Sequence, residues 1–267
     1  EFAASYIRKL LRETDARRRD IVVTARNFDV YAPVLELVFE RYQIPIFLSE
    51  KHDILQKPVL ALVGSALHTV TNGWRYEDMF AYLKTGFAGL TAEECDLLEN
   101  YVLFRRIRGS KWLQPFAGHP DSFGGELDDK AREKLVALNT LREKAVQPLL
   151  ALQQDLEQAQ TAAQYAQALY AFLERIGAPD SIAARAQLHE DAGRLQTAEE
   201  YRQLWEILMQ AMEQFAWVQG DAEMETDAFV TMLGLVLTEY DVGTIPVSLD
   251  RVTCGSIDRV CKTGIPH

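Results

Sequence analysis

The chain has 267 residues, 48% of them hydrophobic and 25% charged, which is the balance of a globule able to build one large core or two smaller ones. A net charge of −11 excludes the overall basic excess of a typical free-standing nucleic-acid binder, so any phosphate contact must come from a local patch. No apolar run reaches the about 18 residues of a membrane span, and three scattered cysteines (Cys95, Cys254, Cys261) suit neither a disulfide framework nor a zinc site, which makes a reduced, cytoplasmic setting the expectation.

Residues 2–13 read as an amphipathic helix with Phe2, Tyr6, Ile7, Leu10 and Leu11 on one face. They lack the basic-then-apolar order of a signal peptide, and the missing initial Met suggests a piece of a longer chain. The stretch RRRDIVVTARNFDVY follows, from Arg17 to Tyr31. Its β-branched run at 21–25 predicts a buried strand of a parallel sheet. Asn27 and Asp29 are placed to cap a helix over 30–42, and residues 44–48 predict a second strand. Helix, strand, helix, strand implies parallel pairing through a crossover.

Beyond Pro58 the pattern turns helical. Helices are expected at 58–70, 75–84 and 92–106, the last opened by the capping box Thr91-Ala92-Glu93-Glu94. A loop rich in Gly and Pro covers about 109–127. A long helix starts near Asp128 and runs past Pro148, where a kink or break is expected. Thr161 opens a helix that ends at Gly177, Thr197-Ala198-Glu199-Glu200 opens one that ends near Gly220, and Thr226 caps one over 227–240. From 245, IPVSLDRVTCGSI returns to strand character. A lone strand must pair with something, and the early strands are the available sheet. The expected class is therefore α/β with a large helical insertion, a parallel sheet built from both chain ends plus an all-α bundle. Two unrelated domains are the alternative.

The chemical motifs are sparse. Gly255 to Lys262-Thr263 has one residue too many for a phosphate loop, and Cys261 stands where the second Gly is needed. Gly255-Ser256-Ile257-Asp258-Arg259 echoes a metal-binding nuclease signature, but Val260 and Lys262 replace its acidic tail. Arg26 ends the first strand, on the side where parallel sheets bind ligands, so it could meet phosphate, with an ion pair to Asp29 as the alternative. Arg105, Arg106, Arg108 and Lys111 with Trp112 join basic charge to an aromatic plate, as in single-strand binding. Trp74, Arg75 and Tyr76 are a weaker version. The alternative is a solvated helix end, with Trp112 in the core. Trp205, Met209, Met212, Phe215 and Trp217 read as bundle core, and Asp221–Glu225 as a solvated acidic turn.

Residues 20–51, DIVVTARNFDVYAPVLELVFERYQIPIFLSEK, resemble a segment of UvrD-like superfamily 1 helicases, and VTCGSIDR resembles a later motif of the same domain. The stretches LDRVTCGSIDR, GWRYEDMF…RRIRGSKW and PLLALQQDLEQAQTAAQYAQALYAFLERIG are similar to the AddB (RexB) family, the B subunits of the ATP-dependent helicase/nucleases. The resemblance implies that 1–65 and 243–267 are parts of a second RecA-like helicase domain, with 66–242 as its helical accessory insertion. Thr253, Gly255, Ser256 and Asp258 fall on helicase-motif positions, although Ser256, Ile257, Asp258, Cys261 and Lys262 depart from the active pattern. The family works with ATP, Mg2+ and an iron–sulphur cluster, whose motifs lie outside this chain. The resemblance thus implies a catalytically inactive segment, without cofactor of its own, that shapes a DNA channel and docks on the motor/nuclease partner of a heterodimer in double-strand break repair and recombination. A helical adaptor that binds protein and no DNA is the other expectation, supported by the net charge of −11.

Overall fold

The structure, a computed structural model, describes residues 1–49, 54–124, 126–240 and 250–257. Among these it has ten α-helices and one three-stranded parallel sheet, an α/β fold with a large helical part. The chain separates into two compact units, the first formed by its two ends and the second by the residues between them.

In the first unit, α1 (Phe2–Glu13) precedes β1 (Val22–Ala25), α2 (Phe28–Arg41) links it to β2 (Ile46–Ser49), and β3 (Val252–Ser256) completes the sheet. The strand order is β1-β3-β2, so the strand from the far end of the sequence is the central one. Val22 lies beside Thr253 and Ala25 beside Ser256 on one side, and Ile46 beside Val252 on the other, all parallel. Because side chains alternate along a strand, Val23, Ala25, Ile46, Val252 and Cys254 share a face, and they pack against Ala4 and Ile7 of α1 and Phe28, Ala32 and Phe39 of α2. Burial pushes the Cys254 thiol up to about 12, which makes it a packing group and no nucleophile. The predicted face of α1 is corrected in part. Ile7 is buried as expected, but Phe2 and Tyr6 stack on each other on the exposed side, and Ala4 takes the inner position.

The second unit is a bundle of α3 (Pro58–Thr71), α4 (Tyr76–Leu83), α5 (Ala92–Arg105), α6 (Asp129–Gln158), α7 (Ala162–Arg175), α8 (Ala178–Asp191), α9 (Leu195–Gln219) and α10 (Thr226–Thr238). Helix α3 buries eight of its 14 residues and packs against α4, α6, α9 and α10, as a helix apolar almost all round must. The Thr91 box forms as read: Thr91 N–H donates to Glu94 Oε2 at 2.8 Å, and Glu94 N–H to Thr91 Oγ1 at 3.2 Å. Asp128 caps α6 through Ala131 N–H at 2.7 Å.

Three expectations are corrected here. Helix α6 runs unbroken for 30 residues through Pro148, because Ala145, Val146, Leu149 and Leu152 bury its inner face and hold the turn that the proline weakens. Beyond Gly177 the chain forms a further helix, α8, with Pro179 in its first turn, where its missing N–H would have no helical partner anyway. Thr197 is no cap, since α9 already starts at Leu195. Trp217 also leaves the expected core cluster, being 86% exposed while Met212 and Phe215 are buried.

Candidate nucleic-acid interface

The carboxyl end of the sheet carries the first group of candidate residues. Thr253 and Gly255 sit in β3, flanked by Val22 and Phe47, and by Thr24 and Ser49, respectively. Ser256 lies beside Ala25, and Ile257 N–H donates to Ala25 carbonyl at 3.3 Å. Arg26 follows directly on β1 and is exposed, so it stands beside the end of β3. Asp258, Cys261 and Lys262 lie outside the described residues.

The second group is built where α5 ends. Arg106 closes the helix in the left-handed region at φ 53°, and Ile107 N–H returns to Val102 carbonyl at 3.0 Å. Gly109, at φ 58°, donates its N–H to Trp74 carbonyl at 3.1 Å. Its hydrogen faces Gly73, since a Cβ there would lie 3.7 Å from the Gly73 oxygen. This bond brings the backbone beside Arg108 next to that of Arg75, so the two basic stretches of the sequence share one surface. Arg75, Arg106, Arg108 and Lys111 are all exposed.

Trp112 is fully buried in the 3-10 turn Gly109–Leu113, which removes it as a plate for bases. Its ring lies 5.9 Å from Phe80 and 6.0 Å from Phe116, centroid to centroid. A stacking platform needs an open π-face, and apolar transfer energy drives this one inward. Trp74 is buried too, its indole N–H donating to Gln153 Oε1 at 2.9 Å. Arg105 is half-buried, with its guanidinium so close over Gly118 that a Cβ there would collide with it. Arg105 and Trp112 therefore shape the basic loop, while Arg75, Arg106, Arg108 and Lys111 present its charge.

Sequence patterns do not reveal the residues that hold this loop. Arg142 of α6, only 5% exposed, donates from Nη1 to Trp112 carbonyl at 3.0 Å and lies 5.9 Å from the Phe116 ring centroid. Asn139, one helical turn earlier, accepts from Phe116 N–H at 2.7 Å and donates to Phe116 carbonyl at 2.9 Å. These partners are 23 and 30 positions away in sequence, and nothing in the local pattern announces them. Nearby, Glu99 accepts from Tyr76 Oη at 2.6 Å and from Lys84 Nζ at 2.8 Å, tying α4 to α5. That hydrogen bond and burial push Tyr76 up to about 12.

Three known proteins similar to this chain carry the same name. It is 35% identical, over 97% of its length, to the B subunit of the ATP-dependent helicase/deoxyribonuclease of Clostridium botulinum strain Loch Maree. It is 34% identical over 99% of its length to the protein of the same name from Clostridium perfringens strain SM101, and 32% identical over 97% to that of Clostridium acetobutylicum. The chain spans 23–24% of the length of these relatives. No family model matches it. The resemblance read from the sequence, to the B subunits of the helicase/nucleases, thus holds along nearly the whole chain.

Proposed function

We propose that this chain is a segment of the helicase-like part of an AddB-type helicase/nuclease subunit, which works in repair and recombination of DNA double-strand breaks. The observation that carries this reading is the identity of 35% across 97% of the chain. On this reading the first unit is part of a second RecA-like domain, and the bundle is an accessory insertion within it. The segment contributes to a DNA channel and to docking on the motor/nuclease partner, and does no chemistry itself. The exposed cations Arg106, Arg108, Lys111 and Arg75 supply the phosphate contacts, and Arg26 a further one at the sheet.

The experiment is duplex-end and single-strand DNA binding by the purified chain across a salt series. Binding is expected to weaken linearly in log–log form with salt, and Arg106→Ala with Arg108→Ala to reduce the slope by about one to two contacts. An ATPase or nuclease rate above background would contradict the non-catalytic role. The second reading, a protein adaptor, is supported by the net charge of −11 and by the exposed Trp217, Val218 and Leu235. Absence of DNA binding at low salt would favour it.

A further inference from the structure

A separate concavity opens at the opposite end of the sheet, where the strands begin. It has a volume of about 570 Å³ and lies between α1, the turn before β1, and the end of α2. That size is within the range of small-molecule sites. Three arginines line it, Arg8 and Arg12 from α1 and Arg18 from the 3-10 turn Arg18–Asp20, and no described lining residue is acidic. Ser5, Tyr42 and Gln43 add neutral hydrogen-bonding groups.

Several observations say this is more than a solvated basic surface. Arg8 and Arg12 stand four residues apart on one helix face, an unfavourable like-charge pair that a bound anion would relieve. Neither has an ion-pair partner among the described residues, although Lys9 on the same helix pairs with Glu13. Arg18 is oriented by Asp250, with Nη1 3.3 Å from Oδ2, yet its Nε is buried with no hydrogen-bond partner among the described residues. A buried donor left open costs free energy unless something fills it. The surrounding stretch from Arg8 to Arg19 holds six basic residues and two acidic ones in a chain whose net charge is −11.

We propose that this pocket is a binding site for a small, multiply phosphorylated anion, gripped by the guanidinium groups of Arg8, Arg12 and Arg18. Guanidinium forks match phosphate oxygens in pairs, and several converging on one cavity select for more than one phosphate. The site is remote along the strands from Arg26, and it does not depend on the DNA reading, because its ligand is probed without DNA.

The test is calorimetric titration of the whole chain with sodium tripolyphosphate at low ionic strength. Saturable one-to-one binding is expected, weakened by at least about tenfold in the Arg8→Gln, Arg12→Gln double variant. Both residues are exposed, and a thermal melt verifies that the variant is folded. Arg12→Lys, which keeps the charge and loses the fork, should fall between. Lys9→Gln removes one charge from the same helix outside the pocket and should bind as the parent does. No saturable binding, or equal losses in Lys9→Gln and the double variant, overturns the proposal. Titration with ATP in the absence of metal separates the sources. Tighter binding than tripolyphosphate means that Tyr42 and the apolar wall also hold a nucleoside, and equal binding means that the phosphates alone are recognised; either outcome upholds the site.

Discussion

At the scale of single residues, the basic loop depends on groups that never touch its surface. Trp112 is the largest fully buried side chain among the described residues, and Trp112→Ala is expected to cost about 3–5 kcal/mol, read as a lower midpoint in denaturant unfolding. Arg142→Met keeps the bulk but leaves the Trp112 carbonyl without its donor, so a smaller loss of about 1–3 kcal/mol is expected. The Tyr76–Glu99–Lys84 cluster adds a pH dependence. Burial pushes the Glu99 carboxyl up, but the hydrogen bonds from Lys84 and Tyr76 outweigh it and leave the group below its ordinary 4.5. A lowered folded value means that the contribution is full above 4.5 and is lost as pH falls through the lowered value. Tyr76 has the opposite sign of shift. Its contribution is full below 10.0 and is lost as pH rises towards about 12. Stability curves of the parent and of Glu99→Gln should therefore converge at acid pH, and a constant offset between them would refute the assignment.

At the scale of elements, identical words have different meanings. Thr-Ala-Glu-Glu occurs at 91–94 and again at 197–200. The first copy caps α5, with both reciprocal bonds made. The second lies inside α9, where Ala198 is fully buried and Glu200 pairs with Lys57 at 2.7 Å. Thr91→Ala should thus cost about 1 kcal/mol, while Thr197→Ala should change stability by less than about 0.5 kcal/mol; equal thermal shifts would show that the two tetrapeptides do the same job. Pro148 and Pro179 make the same point. One is carried through a helix interior by packing and the other starts a helix, and local sequence alone does not separate the two cases.

At the scale of the whole molecule, the first unit is closed by a strand more than 200 positions from its partners, as in the pairing of Val22 with Thr253. Neither β1 nor β2 has another strand to pair with among the described residues, so ending the chain after Tyr240 should unfold the first unit. The bundle has its own core and should survive, which hydrogen exchange over 54–240 would show as retained protection. The α/β class, the parallel strands at both ends and most helices were legible in the amino-acid sequence, because a two-residue or 3.6-residue apolar period is a local property. The resemblance to the helicase/nuclease family was legible there too. Which candidates point outward was not. Trp112 and Arg105 look like contact residues beside Arg106, Arg108 and Lys111, until Phe80, Phe116, Asn139 and Arg142 bury the one and the backbone at Gly118 covers part of the other. The convergence of Arg8, Arg12 and Arg18 on one cavity likewise arises only when α1 docks beside the sheet. Periodicity specifies which side of an element is apolar, whereas the partner met on that side, and the charges left facing a common space, are set by contacts between residues distant in the chain.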